Sequence, residues 1–261
     1  MDLQLTGKRA IVTGGSRGIG KAVARALALE GVDVALVARG REALDATAGD
    51  LARETGRTVI AAPADTGDDA SVRAMVQEVV QALGGVDILV NCAAQPGGQG
   101  RVPSLEEISA EEHFWPDMNV KVMGYLRCAQ AVAPHMKAAG WGRIINVSGL
   151  AARQSGSTVG SMRNVAVAAM TKNMADELGP HGINVTVVHP GLTRTEATAG
   201  VVARRAEATG EPPEDIERRM AEGNSVRRLI DADDIAYVVT MLASPRSIAL
   251  NGDTIAAGGG A

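Results

Sequence analysis

Three stretches carry residue types suited to chemistry. Thr13 to Gly20, TGGSRGIG, sets glycines at 14, 18 and 20 between an apolar run and a helical pattern. Such glycines let the backbone turn tightly, so that the N-terminus of the following helix approaches a pyrophosphate. Arg17 in this loop and Arg39 after the apolar run VALV are suited to clamp a phosphate with charge-assisted forks. The third stretch, Ser148 to Asn164, holds Ser148, Ser155, Ser157, Thr158 and Ser161 alongside Arg163 and Asn164. Hydroxyls are poor acids at neutral pH and a guanidinium does not release its proton. Arg163 therefore suits an oxyanion or a carboxylate better than proton transfer. His189, before Pro190-Gly191, suits packing. Glu111, Glu112 and His113 have the spacing of a solvated helix start, and Asp231, Asp233 and Asp234 that of a helix cap. Cys92 and Cys128 form neither a disulfide framework nor a zinc spacing, and no metal site is expected.

The elements that must position these residues follow a regular rhythm. Apolar, β-branched runs at 9–15, 33–39, 58–65, 86–94, 142–149 and 183–191 read as strands, with a seventh in DTIAAGG near the end. Helical patterns fill the gaps at 21–30, 41–56, 69–83, 109–138, 160–179 and 231–243. Strands that are apolar throughout and alternate with helices imply a parallel sheet covered on both faces. The segment at 194–228, rich in Arg, Glu and Pro, breaks the rhythm and reads as a charged helical insertion.

These motifs, in this order, resemble the classical short-chain dehydrogenase/reductase family over nearly the whole chain. Gly14, Gly18 and Gly20 match its cofactor loop, NCAA at 91–94 its NNAG element and GRIINVSG its serine-bearing strand. Asn119 matches its helix asparagine, HPGLTRT its Pro-Gly loop and NGDTIAAGGG its last strand. The resemblance implies an α/β fold: one doubly wound Rossmann-type domain over 1–261, a seven-stranded parallel sheet with helices on both faces, and a substrate lid at 194–228. It implies a nicotinamide cofactor held by Gly14, Ser16, Arg17, Gly18, Ile19 and Gly20. Asp65 and Thr66 would meet the adenine, Asn91 and Ala93 the ribose, Pro190 and Gly191 would close over the nicotinamide, and Thr193 and Thr195 would reach the pyrophosphate and carboxamide side. Gln95 would wall the substrate pocket, in a Gly-rich loop at 95–101 that reads equally as surface. Ala38 stands where the family carries the acid that holds a ribose hydroxyl, and Arg39 follows. NADP(H) is therefore expected over NAD(H).

The family's proton chemistry is missing. A tyrosine and, four residues later, a lysine belong on the helix after the fifth strand. Counting back from Pro190-Gly191 puts them at Gly160 and Asn164; counting forward from GRIIN puts them at Met162 and Ala166. Neither register supplies the pair, and the two tyrosines, Tyr125 and Tyr237, lie in other helices. The usual serine slot is Gly149, with Ser148 beside it. Ser148 and Asn119 remain as catalytic candidates, Gly160 and Arg163 as substrate-pocket residues, and Asn164 as a partner for the ribose.

Composition excludes several classes. The 261 residues carry a net charge of −4, which suggests neither a nucleic-acid surface nor a polybasic membrane patch. No apolar run approaches ~20 residues, the start lacks the long apolar run of a signal peptide, and a reducing cytoplasm fits the two cysteines. Aromatic content is only 2%, so the core must be aliphatic. Small residues on two long helices (Ala129, Ala131, Ala133; Ala166, Ala168, Ala169) fit the family's subunit interface, implying a homotetramer or homodimer. The expected function is NADP(H)-linked oxidoreduction of a small carbonyl or alcohol at an atypical site. A cofactor-binding sensor or non-catalytic subunit, and non-redox elimination or isomerisation, stand as alternatives.

Overall fold

The computed structural model describes residues 2–95 and 102–261, so Gln95 is the one residue of the expected 95–101 loop within it. Among the described residues, nine strands run β1 (Arg9–Thr13), β2 (Asp33–Val37), β3 (Val59–Ala61), β4 (Ile88–Asn91), β5 (Gly142–Val147), β6 (Ile183–Pro190), β7 (Thr193–Arg194), β8 (Ile230–Asp231) and β9 (Thr254–Ala257). Seven of them form one parallel sheet in the order β3-β2-β1-β4-β5-β6-β9. Every residue of β4, β5 and β6 is buried, because helices cover both faces.

The helices are α1 (Gly18–Leu29), α2 (Arg41–Thr55), α3 (Asp69–Leu83), α4 (Trp115–Met118), α5 (Gly124–Ala139), α6 (Thr158–Leu178), α7 (Thr198–Thr209), α8 (Pro213–Glu222) and α9 (Ala232–Ala243). One core packs Val23, Leu27, Leu44, Leu51, Ile235 and Val239, from α1, α2 and α9, against one sheet face. The other packs Val72, Met75, Val76, Val132, Met136 and Leu178, from α3, α5 and α6, against the opposite face. The cores are aliphatic, as the composition requires.

Two elements depart from the sequence reading. The third strand is expected over 58–65, but only Val59–Ala61 pairs as β3, at the sheet edge against β2 alone. The helix expected over 109–138 is interrupted by π-turns at Ala110–Phe114 and Asn119–Met123, flanking α4. The insertion at 194–228 folds into α7 and α8 around a small core of Val202, Ile216, Met220 and Leu229. Around it, β7 and β8 form a two-residue parallel pair. Ahead of α9, Asp231 N–H donates to Asp234 Oδ2 at 3.0 Å, so this acidic group is a helix cap. Ala129 lies in the core at 3% exposure, so not every small residue of the long helices is left for a partner.

The strand order places a crevice. From β1 the chain winds outward through β2 and β3, then returns to the other side of β1 as β4. Connections therefore diverge at the carboxyl ends of β1 and β4, which leaves an open cleft between them.

Candidate active site

The cleft is lined first by the glycine loop. Thr13 ends β1, and its Oγ1 accepts from Cys92 and Ala93 N–H, both at 3.1 Å, which locks the two strand ends together. Gly14 and Gly18 have φ of +69° and +56°, which side-chain-bearing residues adopt at a cost. A Cβ on Gly20 would sit 2.2 Å from Gly14 O, so only glycine lets the first turn of α1 close on the loop. Thr47 Oγ1 holds the loop from α2 by donating to Ser16 O at 3.2 Å.

The N-terminus of α1 already meets an anion. Gly18 N–H donates to a carboxylate oxygen of Glu196 at 2.9 Å, and the Thr195 methyl lies 3.5 Å from where a Gly18 Cβ would be. The carboxylate occupies the place that a phosphate takes at such a helix start. The geometry thus fits a dinucleotide: a cradle in which Gly14, Gly18 and Gly20 carry no Cβ and the helix start binds negative charge. Arg17 and Arg39 are exposed beside it, and among the described residues their side chains have no partner.

Other expected cofactor residues surround the cleft. Asp65 Oδ1 accepts from Gly67 N–H at 2.8 Å, while Thr66 is buried and its carbonyl accepts from Arg127. Asn91 lies under the cleft, donating to Asn146 Oδ1 at 2.9 Å. Asn146 in turn donates to Thr171 Oγ1 at 2.9 Å. The buried Asn91 Oδ1 has no partner among the described residues. Pro190 ends β6, Gly191 packs on Gly258 and Leu150, and Thr193 Oγ1 donates to Gly191 O at 3.0 Å. Ile19 and Ala93 line the same region half-buried, whereas Gln95 is exposed.

The end of β5 is where the proton chemistry would sit. Of the two registers on α6, Gly160 and Asn164 share its buried stripe with Val167 and Thr171, whereas Met162 is 50% exposed. Ser157 caps α6 by accepting from Gly160 N–H at 2.9 Å, which explains one hydroxyl of this stretch. Ser148 is buried, and its hydroxyl donates to Asn164 O and Oδ1 at 3.2 and 3.3 Å. A Cβ on Gly149 would lie 3.0 Å from Asn164 Nδ2. His189 Nδ1 accepts from Gly149 N–H at 3.2 Å. Burial lowers the His189 pKa, and the charges of Lys121 and Arg153 lower it further. Arg163 is held by both oxygens of Asp117, at 2.7 and 2.8 Å, and its buried Nε has no partner among the described residues.

Asn119 does not reach this cluster. Its Nδ2 donates to Gly67 O at 3.2 Å and its Oδ1 accepts from Arg127 at 2.8 Å, on the exposed side of the π-turn. The residue of that turn that faces β5 is Lys121, whose Nζ donates to Ser148 O at 2.9 Å. Sequence reasoning missed it. The available signal was a lysine set between Val120 and Val122, one helical turn before Tyr125.

The short chain dehydrogenase family model matches residues 8–206. This chain belongs to the short-chain dehydrogenase/reductase family. It is 37% identical over 259 residues to the short-chain reductase protein NovJ of Streptomyces niveus, covering 96% of this chain and 92% of the relative. It is 34% identical over 253 residues to the oxidoreductase UcpA of Escherichia coli K12, covering 95% and 92%. Among solved structures, the L-sorbose reductase of Gluconobacter frateurii, complexed with NADPH and L-sorbose, superposes with a TM-score of 0.91 at 28% identity, covering 100% of this chain and 98% of that one. An NAD⁺-bound xylitol dehydrogenase superposes with a TM-score of 0.89 at 26% identity, covering 98% and 100%. Short-chain dehydrogenase/reductases bind nicotinamide dinucleotides and small-molecule substrates, which accords with the cradle at Gly14, Gly18 and Gly20. Among the described residues, no group of three or more His, Cys, Asp or Glu could hold a metal, and no helix is long and apolar enough to cross a membrane.

Proposed function

We propose that this short-chain dehydrogenase/reductase is an NADP(H)-dependent oxidoreductase that interconverts a carbonyl and an alcohol at a site without the family's tyrosine and lysine. The observation that carries the reading is the glycine cradle, whose first helical N–H already holds a carboxylate. When bound, the nicotinamide supplies or accepts a hydride. The chain's own residues do the rest. Gly14, Ser16, Gly18, Ile19 and Gly20 seat the pyrophosphate, and Thr193 and Thr195 close on it from the β6 side. Asp65 and Thr66 flank the adenine. Asn91, Ala93 and Asn164 hold the ribose, with Asn164 fixed by Ser148. Arg17 and Arg39, exposed and without side-chain partners among the described residues, are available for a ribose 2′-phosphate. Pro190 and Gly191 border the nicotinamide. Gly160, Gln95 and Arg163 border the substrate, and Arg163 keeps one N–H unsatisfied among the described residues. The helices α7 and α8 form the lid, and between them lies a cavity of 370 Å³ lined by Leu192, Arg205, Ile216 and Met220.

One observation favours a second reading. Glycine stands at 149 and 160 and asparagine at 164, so the expected serine, tyrosine and lysine positions are all empty of those residues. That suits a cofactor-binding sensor, or a non-catalytic subunit in a homo- or hetero-oligomer of the family. Exposed Trp115, Met123, Met162 and Val165 offer apolar surface for such an assembly. Binding of NADPH and NADH, followed by nicotinamide fluorescence, tests the cofactor assignment. The expected result is tighter NADPH binding that falls by at least ~10-fold in Arg17→Ala/Arg39→Ala while NADH binding holds, since each charged hydrogen bond contributes ~1.5–3 kcal/mol. Equal affinity for the two cofactors would remove the NADP(H) assignment. Binding of neither would remove the oxidoreductase reading as a whole.

A further inference from the structure

Lys121 has no part in the reading so far, yet it is the one ammonium at the end of β5 among the described residues. It is 4% exposed and, among the described residues, makes a single hydrogen bond, to Ser148 O at 2.9 Å. An ammonium carries three N–H bonds, so two are left over in a buried site. Tyr125, four residues on and therefore on the same helix face, donates to Val147 O at 2.8 Å. A lysine and a tyrosine thus do meet the end of β5, but from α5 and its preceding π-turn, in reversed order. The lysine is the member nearer the carboxyl edge of the sheet. Tyr125 lies deeper, packed with Val167 and Val187, and burial pushes its phenol well above its ordinary pKa. Lys121 is linked through one residue, Ser148, to Asn164, where the expected lysine is missing. Ser148, whose carbonyl it holds, bonds Asn164 through its hydroxyl, and neighbouring Gly149 bonds His189.

We propose that Lys121 supplies the proton taken up by the substrate oxygen when a carbonyl is reduced at this site. The proposal rests on the reading of the chain as a carbonyl reductase. The carbonyl carbon gains a hydride from the reduced nicotinamide dinucleotide and forms a new C–H bond. The C=O π pair moves to oxygen, which takes a proton from Nζ. One N–H bond breaks and a neutral amine remains, to be reprotonated from water. The carbonyl is reduced and the nicotinamide oxidised, with one proton consumed. In alcohol oxidation the neutral amine accepts the same proton.

The surroundings suit such an amine. Burial, the largest cause, lowers the Lys121 pKa to about 7. Arg163, on α6, pushes in the same direction, while Asp117 on α4 and Cys92 after β4 oppose it. Burial lowers the pKa of His189 on β6, and the charge of Lys121 lowers it further. A general acid works best when its pKa lies near the working pH.

The test combines direct titration with kinetics. In protein labelled with ¹³C at lysine Cε, the Lys121 signal is assigned by its loss in Lys121→Gln. It is expected to titrate near 7, apart from the other lysines. A Lys121 signal that stays that of a charged amine to pH ~9, far above that midpoint, overturns the proposal whatever the enzyme's activity. With NADPH and a reducible carbonyl, kcat is expected to fall as pH rises through the same midpoint. Lys121→Gln keeps a donor to Ser148 O and is expected to lose ~10²–10⁴-fold in kcat with its NADPH Kd unchanged. Lys121→Arg keeps the charge but cannot release a proton, so it is expected not to restore turnover. Full activity in either variant beside an active wild type overturns the role of Lys121 and leaves the reductase reading standing. No turnover by wild type that binds NADPH overturns both.

Discussion

Replacing Lys121 by methionine removes a charge from a site that resists it, and the consequence depends on pH in a defined direction. The folded-state pKa is depressed from 10.5 to about 7, chiefly by burial. Between those values the unfolded chain holds a proton that the folded chain has shed, so wild-type stability rises with pH at about 1.4 kcal/mol per unit. The stability associated with the neutral amine is complete above the unfolded value. It is lost as pH falls and levels off below about 7. Over the whole interval the loss amounts to about 5 kcal/mol. The variant gives up the hydrogen bond to Ser148 O, a loss of about 1 kcal/mol. Lys121→Met should therefore be the more stable protein by a few kcal/mol near pH 6, and level with wild type or slightly weaker near pH 10.5. Urea unfolding of both proteins across that range measures the difference and cancels the contribution of every other titrating group. A difference that stays constant with pH would refute the buried-amine assignment.

Three further outcomes follow from the same structure. Gly20→Ala sets a Cβ 2.2 Å from Gly14 O, so urea unfolding should register a loss of ~1–3 kcal/mol and nicotinamide fluorescence a marked loss of cofactor binding. Glu196→Gln removes the carboxylate held by Gly18 N–H; NADPH should bind ~2–10-fold more tightly, as a charged competitor at the helix start is lost. Asp87 is buried and receives Arg9 through its backbone N–H, Nε and Nη2, at 2.9, 2.7 and 3.0 Å. Asp87→Asn should lower the urea midpoint by the equivalent of ~1.5–3 kcal/mol without altering cofactor affinity.

The sheet was legible because burial on both faces leaves apolar runs such as ILVN and INVTVV, which alternate with helical spacing. The glycine loop was legible because its spacing has a steric meaning that the Gly20–Gly14 approach bears out. The π-turns were not, since whether a helical N–H reaches back four residues or five leaves no periodic mark. That difference turns Asn119 outward and leaves Lys121 buried. Lys121 was hard to find for a second reason: lysine is ordinarily exposed, and nothing local announces its burial. The helices of 194–228 were legible, but their core of Val202, Ile216, Met220 and Leu229 was not, because the charge of the segment reads as surface. The contact of Glu196 with Gly18 joins residues 178 apart in sequence, beyond any local pattern.

The central claim is that this chain carries out redox chemistry although Gly160 and Asn164 stand at the expected tyrosine and lysine positions. Its most direct test is NADPH oxidation by the purified protein at saturating cofactor, followed by absorbance against a panel of aliphatic ketones, aldehydes and keto-sugars. Oxidation stoichiometric with alcohol formation is expected for at least one carbonyl. Saturated NADPH binding with no oxidation above the protein-free rate across the panel would contradict it and make the chain a cofactor-binding, non-catalytic member of its family.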